Sequence, residues 1–322
     1  MPFPNPATHS PDEAALVRTI LAHHAADLPK LVYADWLEER GDPRGPFLRA
    51  FVEATADGSP YPDPAGFPQP WLDLMGVPAL TACRQHALPL TPVELLLKAR
   101  PAFGITEQQI GDEMIPLRAS KFGGGADVPD GFEWPTHRGN ALDFLAQFDL
   151  AELAASPAAD ALPRTGLLSV FFHSAGGVSD SGDVGGWRFY RFDESEPLRR
   201  LLHPGSSIAN PRNACRLDFD ETLTLPENWC WSESVSDEVQ ETYRNEVSET
   251  GLHHQLLGWP RFLQSDADWF SINGLVRHLM TLGSNFELDW TWGDAGLLYF
   301  GIPTDALRTG DFSKTDFDFQ SC

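Results

Sequence analysis

Residues 54–70 read ATADGSPYPDPAGFPQP, with five prolines and three glycines or serines. Proline lacks the N–H that a helix or sheet needs and fixes its own φ, so no regular element crosses so dense a run. The run divides the chain and predicts three parts. These are a helical unit at 10–53, a Pro-rich linker at 54–70 and one large domain at 71–322. The chain has 10 Trp, 21 Phe and 5 Tyr, enough apolar surface to exclude a disordered polymer.

The short piece carries helix signals. Ser10 followed by Pro11 and Glu13 predicts an N-cap with a capping box. Leu16, Val17, Ile20 and Leu21 form an apolar stripe behind it. Asp27 is placed to cap a second helix with Leu28, Leu31, Val32 and Trp36 on its buried face, ending at Gly41. A third helix is expected at 46–52. So small a unit does not bury enough surface to stand alone, so these helices are expected to dock on the rest.

Thr91 to Glu94 predicts another capping box, and from about residue 112 strands and turns take over. Strands are expected at 114–118, 167–173, 187–192, 217–220, 286–290, 297–302 and 317–319. Helices are expected at 142–153, 234–249 and 273–282. This order predicts an α+β fold: a mostly antiparallel β-sheet domain with interspersed helices, plus the small N-terminal helical unit.

Two stretches resemble known families. LVYADWLEERGDPRG at 31–45, followed by Phe47, Leu48 and Arg49, resembles the repeat-companion domain of planctomycete-type bacterial proteins over about residues 10–52. That resemblance implies an accessory module and no chemistry. SKFGG at 120–124, VP at 128–129, WP at 134–135, FLAQF at 144–148, GLL at 166–168, HQLLG at 254–258 and WGDAG at 292–296 resemble, in that order, the YwqG-like domain over about residues 90–322. The resemblance implies an α+β fold, bacterial origin and a family of unknown function, some members of which are encoded near toxin genes. The Gly-rich 176–186 stands out as an insertion.

Lys and Arg total 23 against 46 Asp and Glu, a formal net charge of −23. Nucleic acid and anionic membrane both bind through basic side chains, so neither is expected as a partner; a basic protein partner, or solubility alone, fits the charge. Between Asp218 and Glu249 lie ten carboxylates and one Arg, a solvated face or an electrostatic docking face. Cys83, Cys215, Cys230 and Cys322 are scattered without a CxxC pair, predicting reduced thiols and no zinc. The N-terminus has neither a charged n-region nor an apolar h-region, which predicts no signal peptide and a cytoplasmic location.

Candidate binding residues are Lys121, Gln147, His254, Trp292 and Asp294; no catalytic residue, metal ligand or cofactor is assigned. Lys121 precedes its glycines, the reverse of a phosphate loop, so a tight turn is the better reading of 121–125. Gln147 interrupts an apolar face. Of His253 and His254, one is expected to face the core and the other solvent. Asp294, between Trp292 and Gly296, is expected to be partly desolvated. It then either clasps its own turn, with Asp294→Asn costing about 1–3 kcal/mol, or lines a pocket. Two functions follow: a non-enzymatic binding or protein-interaction module, of immunity or regulatory type, or a small-molecule-binding or enzymatic pocket around Asp294, Gln147 and Lys121.

Overall fold

The computed structural model describes residues 10–174, 185–205, 214–227, 236–248, 251–267, 270, 275–288 and 290–321. The fold is α+β, with helices concentrated toward the N-terminus and a large antiparallel sheet after them. Contacts divide the chain into two compact units. The first comprises residues 1–103, 220–251 and 258–261; the second comprises 104–219, 252–257 and 262–322. Among the described residues, no helix is long and apolar enough to cross a membrane.

The first unit opens with α1 (Pro11–Ala22), α2 (Asp27–Glu38) and α3 (Arg44–Asp57). Ser10 Oγ accepts from Glu13 N–H at 3.2 Å, the first half of the expected capping box. Glu13 does not complete it. Its carboxylate turns inward, accepts from Tyr33 Oη at 2.7 Å and pairs with Arg44 at 3.0 Å. Arg44 also grips Asp42, with Nη2 at 2.7 Å from Oδ2. Burial would raise the Asp42 carboxyl, but the hydrogen bonds from Arg44 outweigh it and hold the group below its usual range. The same burial pushes the Tyr33 hydroxyl far up. A Cβ on Gly45 would stand 2.8 Å from Ala34 O and Glu38 N, so glycine is what lets α3 pack this closely on α2.

The buried face of α2 is not the expected one. Lys30, Tyr33, Ala34 and Leu37 point inward, while Leu28 and Val32 are 71% and 44% exposed. A stripe of aliphatic residues is the ordinary sign of a core face; here the core takes the tyrosine and the lysine stem instead. Asp27 begins the helix without capping it.

The Pro-rich stretch is tied down rather than free. Tyr61 stacks on Phe51 at 4.4 Å and Phe67 lies 4.6 Å from Phe47. Arg84 covers Tyr61 at 3.6 Å and donates to the carbonyls of Ser59 and Ala54. Arg84 belongs to α5 (Val77–Gln85), which follows α4 (Gln69–Met75) and precedes α6 (Pro92–Lys98). The Thr91–Glu94 capping box opens α6 as expected. One core joins Ile20, Tyr33, Phe51, Met75, Leu95 and Tyr243. Tyr243 follows α8 (Asp237–Thr242) in a π-turn.

The large sheet contains β1 (Arg100–Gln109), β2 (Lys121–Gly123), β6 (Asp143–Asp149), β7 (Leu167–Phe172), β8 (Trp187–Phe192), β10 (Ala214–Thr224), β11 (His254–Leu257), β12 (Val276–Gly283), β13 (Leu297–Pro303) and β14 (Asp316–Gln320). Their order is β14-β13-β12-β11-β1-β10-β2-β6-β7-β8. The sheet curls until its two ends meet: Trp187 Nε1 donates to Thr315 O, Trp187 lies 5.2 Å from Phe317, and Phe189 lies 5.2 Å from Phe300. Phe122, Phe148, Phe172, Phe300 and Phe317 fill the concave side. A ribbon of β3 (Ala126–Pro129) and β9 (Leu198–Leu201) shares a second cluster with Phe144, Phe171 and Phe192, and β4 (Thr136–His137) pairs with β5 (Asn140–Ala141).

Several elements differ from expectation. Residues 143–149 and 276–283 are strands, not helices. Both are covered on two faces, so their apolar residues run on without the alternation that marks a half-exposed strand. Residues 286–288 form a 3-10 turn closed by a bridge between Asn285 and Trp290. A 3-10 turn at 112–114 precedes coil where a strand was expected. β1 carries no alternating pattern and was not foreseen. Most of the insertion at 176–186, together with Cys230 and Cys322, lies outside the described residues. Cys83 and Cys215 are buried and joined in no disulfide.

Removing the guanidinium from the α1–α3 hub takes a counter-charge from buried Glu13 and from Asp42. Arg44→Met is therefore expected to lower unfolding free energy by about 3–5 kcal/mol, measured by urea denaturation. Arg44→Lys, which loses the two-pronged grip on Asp42, is expected to recover only part of that loss.

Candidate functional site

The sheet brings Lys121 and Gln147 together. They are register partners on β2 and β6, and both side chains are fully buried. Gly123 and Gly124 take left-handed φ of 63° and 70°, so the expected tight turn is present. A Cβ on Gly124 would lie 2.6 Å from the Asp112 carboxylate. The turn thus packs on Asp112 beside Lys121, whose Nζ donates to Asp112 Oδ1 at 2.6 Å and to Gly125 O. Gly125 N–H donates to the other oxygen of Asp112 at 2.9 Å.

A second pair adjoins the first. Asp127 and Arg200 face each other across β3 and β9. Arg200 Nε donates to Asp127 Oδ1 at 2.8 Å, and Nη2 reaches Oδ2 at 3.2 Å. Arg200 Nη1 lies 3.2 Å from Asp112 Oδ1 and donates to Ile115 O at 3.0 Å. Gln147 joins the set: Nε2 donates to Asp127 Oδ2 at 2.8 Å and to Ala119 O at 2.9 Å, while Oε1 accepts from Asp127 N–H. Two acids and two bases alternate, so the network is formally neutral. Burial pulls the Lys121 ammonium below its ordinary value, against the pull of Asp112. Burial would raise Asp127, but the Arg200 hydrogen bonds and the Lys121 charge hold it low. Lys121 and Gln147 therefore have their polar atoms engaged by protein.

Adjacent residues on a strand point to opposite faces, so Phe122 leaves this network and enters the concave side. There it meets His254 at 5.0 Å and Trp290 at 5.3 Å. His254 is 2% exposed, and His253 beside it is exposed, one inward and one outward as expected. Gly283 N–H donates to His254 Nδ1 at 3.2 Å, which places the ring proton on Nε2. Nε2 stands 3.3 Å from Glu107 Oε2 without hydrogen-bond alignment. Burial, helped by His253, holds the imidazole down to about 3, so the ring is neutral at physiological pH. Burial raises the Glu107 carboxyl, while Asn285 donates to its other oxygen.

Trp292 is buried and structural in its contacts: Nε1 donates to Gly283 O at 3.0 Å and its N–H to Ser284 Oγ at 3.0 Å. Asp294 corrects the expectation made for it. Its turn does fold tightly, with Gly296 N–H donating to Trp292 O at 2.7 Å, yet the Asp294 side chain is exposed and makes no hydrogen bond among the described residues. The tryptophans flanking it point inward and the turn carries the carboxylate outward, so they do not desolvate it. Five described residues around Lys121, Gln147 and His254 were missed: Asp112, Asp127, Arg200, Glu107 and Asn285. All but Asp112, nine residues from Lys121, lie far from their partners along the chain. Only Arg200, in the lone adjacent basic pair, carried a signal.

Among the described residues, no group of three or more His, Cys, Asp or Glu is placed to hold a metal. Lys121→Met leaves Asp112 short of its buried counter-charge and is expected to cost about 3–5 kcal/mol in chemical denaturation. The neutral pair Lys121→Met with Asp112→Asn is expected to recover much of that loss. Asp127 is held below its unfolded pKa, so its contribution is present above about pH 4 and disappears as pH falls through the folded value. Asp127→Asn is then expected to flatten the acid side of the stability curve. Asp294→Asn, being a surface change, is expected to shift stability by less than about 0.5 kcal/mol.

Residues 120–322 match a family model described as a domain of unknown function, DUF1963. The match begins at Ser120, so it holds the β2 turn, the Asp127–Arg200 pair and His254, while Asp112 and Glu107 precede it. A comparison with curated proteins finds no match. With more than half of the chain inside that span, the protein belongs to the DUF1963 family, the YwqG-like family to which its motifs pointed.

Proposed function

We propose that the protein is a non-enzymatic binding module that docks a basic protein partner, in an immunity or regulatory role in the bacterial cytoplasm. The observation that carries this reading is the excess of acid over base, 46 Asp and Glu against 23 Lys and Arg. Of 23 Lys and Arg, Arg44, Lys121 and Arg200 are turned inward onto carboxylates, and Lys30 is buried. The 19 other bases face 42 other carboxylates, and a field of one sign attracts and orients a partner of the other. Residues 10–53 are the accessory repeat-companion unit, joined through 54–70 to the YwqG-like part.

The pocket reading at Asp294, Gln147 and Lys121 has less support. A ligand there would compete with the bonds Lys121 and Gln147 already make, and Asp294 sits on an exposed turn.

Charge-led docking weakens with salt, because exposed charges are screened beyond about 10 Å at 0.1 M ionic strength. Affinity capture from native lysate at low salt, with stepwise salt elution, is expected to release a basic protein that rebinds saturably in purified form. A purified partner whose binding is indifferent to salt, or turnover of a small molecule lost in Lys121→Met, would overturn the reading.

A further inference from the structure

We propose that the outward stripe of α2 is the docking strip for a basic amphipathic helix of that partner. The inference rests on the binding-module reading and adds the surface and the shape of what it takes.

On a helix, positions 28, 32, 35 and 39 follow one another along a single line, opposite 30, 33, 34 and 37. The second set is the buried face. The first set is Leu28, Val32, Asp35 and Glu39. Leu28 and Val32 are 71% and 44% exposed, and the side chains of Asp35 and Glu39 are 65% and 77% exposed. Leu31 and Trp36 flank the line and lean on the core, so the strip has fixed sides. Arg49 on α3 ties Asp35 and Glu38 from one side, and Arg40 lies on Trp36 at 3.9 Å. Asp27 opens α2 and Glu39 at its end stands 3.8 Å from Arg40, so the four carboxylates of this face, with Asp35 and Glu38, outnumber its two arginines. Single surface leucines are ordinary. Two aliphatics a turn apart, continued by carboxylates on the same line, are the complement of a helix that carries leucines and lysines on one face.

Charge selects the occupant. A second copy would bring another −23 against the first, and an anionic membrane would be repelled in the same way. A basic helix meets both halves of the strip.

The test uses the full chain and two probe peptides of about 14 residues, roughly four helical turns. One is built of leucine and lysine with leucines at i, i+3, i+4 and i+7; the other is oligolysine. Fluorescence polarisation is expected to show the leucine–lysine peptide binding roughly tenfold tighter, from burial of the two aliphatics. Leu28→Ser with Val32→Ser is expected to remove that advantage while leaving oligolysine binding and melting temperature unchanged; both positions are exposed, so folding is spared. Equal affinity for the two peptides, or an advantage that survives in the double variant, overturns the strip but leaves the acidic-docking reading standing. Failure of both peptides to bind overturns both. Sedimentation showing a dimer that needs Leu28 and Val32, or variant-sensitive binding to anionic vesicles, assigns the strip to another occupant and overturns the proposal.

Discussion

A charge moved out of water costs several kcal/mol unless an opposite charge and hydrogen bonds meet it. Asp112, Lys121 and Asp127 are moved out of water here, the half-buried Arg200 reaches in to the two acids, and the structure around them follows from that cost. Gly125 reaches both Lys121 and Asp112 because the chain doubles back at Gly123 and Gly124. Asp127 reaches Arg200 because β3 and β9 pair in one register and not the next. A slip of one residue would put the two side chains on opposite faces of the ribbon. The quartet therefore specifies the loop, the ribbon and its alignment on β2 and β6 together. Gln147, which breaks an otherwise apolar strand, is the amide that completes the donors around Asp127.

Strand alternation separates this polar network from an aromatic interior one residue away. Lys121 serves one face of β2 and Phe122 the other. The concave side is so apolar that the buried His254 stays neutral, its Nε2 3.3 Å from Glu107 but out of line for a hydrogen bond. The two faces have different chemistry for a simple reason: one is closed by a ribbon rich in charge, the other by the sheet's own curl.

The N-terminal helices solve the same problem on a smaller scale. Glu13, Tyr33, Asp42 and Arg44 form a buried hub, and Gly45 permits the close approach that keeps water from it. Satisfying that hub rotates α2 so that Tyr33 faces inward. The rotation carries Leu28 and Val32 out. The exposed apolar strip is thus a consequence of where one tyrosine hydroxyl finds its partner.

Local chemistry was legible from the chain itself. The Thr91–Glu94 cap, the turn at Gly123 and Gly124, and strands β7, β8, β13 and β14 depend on neighbours in sequence, and so does the α+β class they imply. The strands at 143–149 and 276–283 were hidden, because a strand buried on both faces loses its alternation. The face of α2, the exposure of Asp294 and the partners of Lys121 and His254 were hidden for a different reason. Each depends on residues brought close only by folding: Asp112 and Arg200 to Lys121, Glu107 to His254, Glu13 to Tyr33. Periodicity reports which residues want burial. Which buried group meets which is settled by electrostatics and hydrogen bonding across the finished fold, and that is decided in three dimensions.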